Sequence, residues 1–309
     1  MKNNVLILVP AYRCEKTIVD TLESIQSQGP RLDEVKEVLV IDDGSHDGIA
    51  EVARTLWRSS VPLRIIDRHF NYGEYASVNA AIEAFPPDVD WFLIMHGDNY
   101  AKPGWLDEFL NRVEAAEDHV GLIGSSYDSF RDSGEVHAGE NKDGQEVMVR
   151  GDAGSVASTL IRGCWWHISS CAIRVKAYRQ VGGLPKLLQL KGDWDFMLRI
   201  LAAGWSIWHI PRSLMMYRDN PQGSSSISFR RHSDIFETLT VVLRFQQYLS
   251  SSQLFSAHYR LLGFLVRRLG RCIVSLDGVR LAWLLPAAGY VAASYCTAVA
   301  ERRRNAQKS

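Results

Sequence analysis

Along the first 120 residues, short unbroken apolar runs alternate with stretches whose apolar positions recur every three or four residues. The run at 38–41 (with Val35 just ahead) shows no polar alternation, the pattern of a strand buried on both faces, and 5–9, 63–67 and 91–95 read as further short strands. Between them, residues 16–28 set Ile18, Leu22 and Ile25 at helical spacing, and 49–57 and 75–84 read as helices too. Strands alternating with helices of this length imply right-handed crossovers and a parallel sheet, hence an α/β fold. From 127 to 162 the periodicity weakens and Gly, Asp, Glu and Ser dominate. Such a segment reads as a long excursion over the sheet, of the kind that serves as a functional loop or lid. A strand-like pattern resumes at 164–166 and 169–173, a helix follows at 193–203, and a short strand at 206–210.

The pattern changes again towards the C-terminus. Residues 254–274 mix Leu, Phe, Ile and Val with Arg260, Arg267, Arg268 and Arg271, and 260, 267 and 271 fall on one helical face. That is a basic amphipathic helix. Residues 282–300 then run without a charge before Glu301 and three arginines. About 20 apolar residues can span a bilayer, but this stretch is Ala-rich and contains Pro286 and Gly289. A helical hairpin packed on the main domain or on another subunit is one reading, and a full span another. The arginines flanking both apolar stretches favour peripheral contact, through 254–304, with an anionic cytoplasmic leaflet.

Composition adds a division to this picture. The 309 residues, 46% hydrophobic and 23% charged, suffice for a full core. Lys+Arg and Asp+Glu are both 35, yet residues 1–228 carry a net −8 and residues 229–309 a net +8. The chain is therefore read as a main domain, 1–228, and a basic helical tail, 229–309, with its own partner. No nucleic-acid partner is expected. The five cysteines are scattered without metal-site or redox spacing, as in a reduced cytosolic protein. The first apolar run is too short for a signal peptide, so the expected location is the cytoplasm, at the inner face of the membrane.

The chemistry-bearing residues sit where apolar runs stop. Asp42 and Asp43 follow a buried strand, at the sheet edge where open α/β folds bind ligands. A turn with Asp47 capping the next helix would need only one of these acids. No glycine-rich phosphate loop follows the first strand. Instead Pro10 ends it, and Tyr12 offers a flat face for a base or ribose, or simply packs. The segment His96-Gly97-Asp98-Asn99 ends another strand, and an acid there suits a hard divalent cation that bridges phosphates. Asp193, at a helix start, either caps it or faces a cleft as a general base.

The segments VPAYR, VIDDGSHDG, NYGEYASVNAAIEA, HGD, VGGLPK, GDWDFMLRILAAGW and IPRSLMMYRDN occur in the order and spacing of an inverting family 2 glycosyltransferase. The resemblance spans roughly residues 4–228, and it implies a GT-A fold: a Rossmann-like, mostly parallel sheet flanked by helices, here with a helical extension. It further implies a nucleotide-binding half, 1–124, and an acceptor half, 125–228. By that resemblance, Asp42 contacts the nucleobase of a nucleotide-diphosphate sugar, with Asp43 beside it. Pro10, Ala11 and Tyr12 match the nucleoside wall, and Asn71 and Gly73 the donor-binding loop. Asp98 matches the metal-binding acid and Asp193 the catalytic base.

That implies transfer of the sugar to a hydroxyl of a saccharide or lipid-linked acceptor, assisted by Mn2+ or Mg2+. Three positions depart from the family pattern. His96 replaces the first acid of the D-x-D motif, leaving Asp98 as metal ligand with help from His96. Gly192 stands where Glu is frequent, leaving Asp193, or second to it Asp195, as base. Asn220 stands near the place of a metal-site His and is the neutral ligand there. A polyprenyl-phosphate glycosyl synthase is the rival enzyme, and a non-catalytic nucleotide-binding scaffold the rival from outside catalysis.

Overall fold

The computed structural model describes residues 4–139, 144–164, 166–220, 223, 233–275 and 278–306. The four anticipated strands are β1 (Val5–Ala11), β2 (Glu37–Asp42), β3 (Leu63–Asp67) and β4 (Trp91–Ile94). They pair in parallel in the order β3-β2-β1-β4, joined by α1 (Ile18–Gln26), α2 (Ile49–Leu56) and α3 (Glu74–Glu83). Successive β1 side chains enter opposite layers: Leu6 and Leu8 join one core cluster, Val5, Ile7 and Val9 the other. Burying each such side chain contributes about 1.5–3 kcal/mol.

Beyond β4 the chain adds β5 (Tyr100–Ala101), α4 (Trp105–Ala115), β6 (Val120–Phe130), β7 (Val136–His137), β8 (Val147–Val149) and α5 (Ala153–Arg162). Then come β9 (Cys171–Arg174), α6 (Val175–Gln180), α7 (Gly192–Ala202) and β10 (Ser206–Arg218). The sheet continues from β4 as β9-β6-β10-β5, with β9 antiparallel to both of its neighbours and β10 parallel to β6.

Several sequence expectations change. Pro10 does not end β1: it lies within the strand, beyond the last β1–β4 pair, Leu8 and Ile94, where a proline interrupts no ladder on that side. The segment 127–162 is not one excursion. Its first residues extend β6, and its last form α5, whose N-cap Asp152 accepts from Ser155 N at 2.7 Å. Residues 164 and 166 are irregular rather than a strand, because Trp166 turns inward and donates to His209 Nδ1 at 2.8 Å. The short strand at 206–210 runs on to Arg218 through register shifts on either side of Ser213.

The tail forms α8 (Ser233–Arg244), α9 (Ser251–Val274), opened by a Ser250–Gln253 capping box, and α10 (Gly278–Ala306). Leu254, Ala257 and Ala298 complete a core cluster of the main sheet, while Leu261, Leu265 and Val291 join α9 to α10. Among the described residues no helix is long and apolar enough to cross a membrane.

Candidate active site

The carboxyl ends of β1, β2 and β4 and the first turns of α3 and α7 meet at one rim. Asp42, the register partner of Ala11, is 2% exposed. Its Oδ1 accepts from Ser45 N at 3.1 Å and from the Ser45 hydroxyl, which in turn accepts from Arg13 N at 2.8 Å. Burial pushes the Asp42 carboxyl above its ordinary value, against the pull of the Ser45 donors. Tyr12, half exposed, stands beside this chain with the Arg13 guanidinium 5.1 Å from its ring centre. Pro10, Ala11, Tyr12 and Asp42 are thus brought together.

Asp43 is spent differently. Its Oδ1 accepts from Tyr72 N at 3.0 Å and from the Ser77 hydroxyl, its Oδ2 from Gly73 N at 2.8 Å, and Arg68 lies 3.8 Å away. It therefore ties the loop at 70–73 to the end of β2. The Asn71 side chain tightens that loop, accepting from Gly73 N at 3.0 Å. Gly44 permits the close passage: its φ is +74°, and a Cβ there would lie 2.5 Å from the Phe70 carbonyl carbon.

The 96–99 turn is built around a charge pair. His96 Nε2 lies 3.1 Å from Glu74 Oε1, a carboxylate still about half exposed in the cleft. Burial alone would lower the imidazole, but Glu74 lifts it to about 9, so it is a cation at neutral pH. Burial raises the Asp98 carboxyl, with His96 and Arg218 pulling it down and Glu74 pushing it up. Asn99, wholly buried, is a strut: its Oδ1 accepts from Arg218 N at 2.9 Å and its Nδ2 donates to Ser169 Oγ at 3.1 Å. Arg218 Nε donates to Asp98 O at 3.0 Å, which brings the end of β10 against this turn. Asn220, two residues on, is exposed, and its carbonyl accepts from Gly223 N at 2.9 Å.

The donor set decides how far a divalent cation fits. Among the described residues no three His, Cys, Asp or Glu side chains converge as a metal cage. As a ligand His96 would have to give up both its proton and Glu74. One hard carboxylate, Asp98, suits Mg2+ or Mn2+ if diphosphate oxygens and water complete the shell.

Asp193 lies in the first turn of α7 but caps nothing there. Its Oδ1 accepts from Tyr75 Oη at 2.7 Å and its Oδ2 from Ile168 N at 3.1 Å. Burial raises its carboxyl, while the Tyr75 donor lowers it and Glu74 raises it further. His167, against His96, Tyr127 and Tyr217, is pushed down to about 3 by burial and by His96, and stays neutral. Asp195, the second candidate base, faces away. It is fully buried between Arg199, at 2.8 Å, and Arg244.

Glu74, Tyr75, His167 and Arg218 were not singled out from the sequence. Glu74 and Tyr75 lie inside a recognised motif, but only the packing of α3 against α7 and the 96–99 turn discloses their partners. Trp166 and Ser169, flanking His167, mark the 166–170 stretch by their burial, which the composition does not reveal.

The chain matches the model of glycosyl transferase family 2 over residues 6–170, more than half its length. A Haemophilus influenzae protein described as an uncharacterized glycosyltransferase is 30% identical over 247 residues, covering 72% of this chain and 68% of that one. An undecaprenyl-phosphate 4-deoxy-4-formamido-L-arabinose transferase of Pseudomonas syringae pv. syringae is 25% identical over 123 residues, 40% of this chain and 36% of its own. Among solved structures, S. aureus TarS 1-349 in complex with UDP superposes with a TM-score of 0.63 at 16% identity, over 97% of this chain and 91% of that one. The mannosyltransferase PcManGT from Pyrobaculum calidifontis, with GDP-Man and Mn2+, gives 0.57 at 17%, over 96% and 86%. These likenesses are of fold.

Proposed function

The chain belongs to glycosyl transferase family 2, and from that premise we propose that it moves a sugar from a nucleotide-diphosphate donor to an acceptor hydroxyl with inversion, Asp193 acting as general base. The observation that carries this reading is the Asp193 carboxylate, held from both sides by Tyr75 Oη and Ile168 N and raised by burial, on the rim that also bears Asp42 and Asp98. Asp42, with Pro10, Ala11 and Tyr12, receives the nucleoside, and the loop of Asn71 and Gly73 covers the donor. Bound at Asp98, Mg2+ or Mn2+ would offset charge on the diphosphate. Asp193 takes the acceptor O–H proton as the oxygen–anomeric carbon bond forms. The bond from that carbon to the diphosphate breaks, its electron pair leaving with the diphosphate. The His96 imidazolium adds positive charge near the leaving group.

UDP in the TarS structure and GDP-Man in the PcManGT structure support UDP and GDP as first probes. A thermal-shift screen of both, with and without Mn2+, tests donor class and metal together; at 100 times its dissociation constant a ligand adds about 2.7 kcal/mol. If neither nucleotide binds and neither UDP-GlcNAc nor GDP-mannose releases one, the reading fails. The likeness to an undecaprenyl-phosphate transferase favours one rival, a lipid phosphate acceptor. Such an acceptor is already ionised and needs no base, so Asp193→Asn would retain activity.

The tail supports a partner of its own. Phe255, Tyr259, Val266 and Ile273 fall within about 40° of one another around α9, and Tyr259, Val266 and Ile273 are at least 60% exposed. Arg260, Arg267 and Arg271 form a parallel stripe about 120° away. An apolar stripe edged by arginines suits the headgroup layer of an anionic membrane. Sedimentation with phosphatidylcholine vesicles, with and without phosphatidylglycerol, tests it. Binding only to the anionic vesicles, lost in Val266→Ser/Ile273→Ser, is expected; no binding, or self-association through the same face, would reject it.

A further inference from the structure

Gly192 and Tyr75 occupy each other's space. A Cβ on Gly192 would lie 2.1 Å from Tyr75 Cε2, 2.7 Å from Cζ and 2.8 Å from Oη. The Tyr75 ring is buried, and its hydroxyl is the donor to Asp193 Oδ1. A side chain at 192 therefore has room only if the ring leaves its seat, and the ring leaves only by releasing Asp193.

We propose that Tyr75 is a positioning residue that fixes the orientation of the Asp193 carboxylate, and that the glycine at 192 makes its seat possible. The inference rests on the reading of Asp193 as the base.

The placement of Tyr75 adds a second link. Asp43 pins Tyr72 N, Gly73 N and Ser77 Oγ, and so fixes the start of α3 against the end of β2. Within the next turn Glu74 reaches His96 and Tyr75 reaches Asp193. One helical turn thus joins the donor loop, the 96–99 turn and the base. The Ile168 amide holds the other carboxylate oxygen, so losing the Tyr75 donor leaves Asp193 with one anchor and freedom to rotate about it. A misplacement of this order costs up to about a hundredfold in rate.

The hydroxyl also sets when the base is ready. Its hydrogen bond favours the carboxylate form, so Tyr75→Phe raises the Asp193 carboxyl. The acid limb of the rate profile must then move to higher pH.

The test compares Tyr75→Phe, Gly192→Ala, the double variant and Asp193→Asn. Nucleotide release from UDP-GlcNAc and GDP-mannose in Mn2+ is followed from pH 5 to 9. For Tyr75→Phe the expected result is a fall in kcat of about tenfold or more, a donor KM within about twofold of the parent, and the shifted acid limb. Gly192→Ala should lose as much, and the double variant no more than either single one. Carbon-13 NMR of the side-chain carboxylates, with Asp193 assigned by its absence in Asp193→Asn, reads the same upward shift without turnover. An unshifted Asp193 titration in Tyr75→Phe, or fully additive losses in the double variant, would overturn the inference. An active Asp193→Asn would instead sink the reading of the base itself.

Discussion

Asp42 and Asp43 are adjacent and both buried, yet replacing each by alanine should damage different properties. Asp43 accepts three hydrogen bonds, from Tyr72 N, Gly73 N and Ser77 Oγ, and its side chain is 4% exposed. A hydrogen bond to a charged group contributes about 1.5–3 kcal/mol, but the three are not additive because the freed loop can take up water. Asp43→Ala should therefore cost about 3–5 kcal/mol, as breaking a buried charge pair does. At about 2–4 °C per kcal/mol, Tm falls by roughly 6–20 °C. Among the described residues Asp42 is held by Ser45 alone, and burial works against its ionised form. Removing it should change Tm by no more than about 2 °C while weakening nucleotide binding by 1.5–3 kcal/mol, roughly 10- to 150-fold. Calorimetric unfolding and titration with UDP and GDP separate the two effects. Equal losses of stability in both variants, or an Asp43→Ala protein as stable as the parent, would refute the assignment.

Gly44→Ala should destabilise by about 1–3 kcal/mol, since φ is +74° and Phe70 leaves no room; urea unfolding measures it. Asp195→Asn should lower Tm by breaking the pairs with Arg199 and Arg244, while kcat per folded molecule stays unchanged in nucleotide release. The pair of His96 with Glu74 gives a pH dependence. A histidine lifted to about 9 contributes stability that is complete below its ordinary 6.5 and is lost as pH rises through 9. The denaturation midpoint should therefore fall between pH 6.5 and 9, and His96→Asn should flatten that slope.

The strands β1, β2 and β4 were legible because each is a short apolar run buried on both faces, a pattern that few other structures produce, whereas β3, which carries Arg64 and Asp67, is only partly buried. β6 was not, since its middle carries Gly124, Ser125 and Ser126, buried small residues that resemble a loop in composition. α5 hid for the same reason, its start rich in Gly, Ala and Ser. At the site, the three strand and helix ends bearing Asp42, Asp98 and Asp193 could be read from where apolar runs stop. What the chain order conceals is pairing across long separations. Glu74 meets His96, and Tyr75 meets Asp193, only because α3 lies beside both turns. The absence of Glu at 192, a defect when read along the chain, is explained in space by the ring that fills its place.

The insertion of β9 between β4 and β6 bears on how the chain is made. β4 comprises residues 91–94, but its second neighbour is supplied by residues 171–174. At about 5–20 residues per second, ribosomal synthesis leaves roughly 4–15 s in which the finished β1–β4 unit has an open hydrophobic edge. Closing so long a loop is also intrinsically slow. A chain halted before residue 171 would therefore hold the β1–β4 unit with its inner edge unpaired, a substrate for chaperones and a seed for aggregation. The strand that ends this exposure is the one that leads, within about twenty residues, to Gly192 and Asp193. Emergence of the turn bearing Gly192 and Asp193 and sealing of the sheet thus fall close together in synthesis.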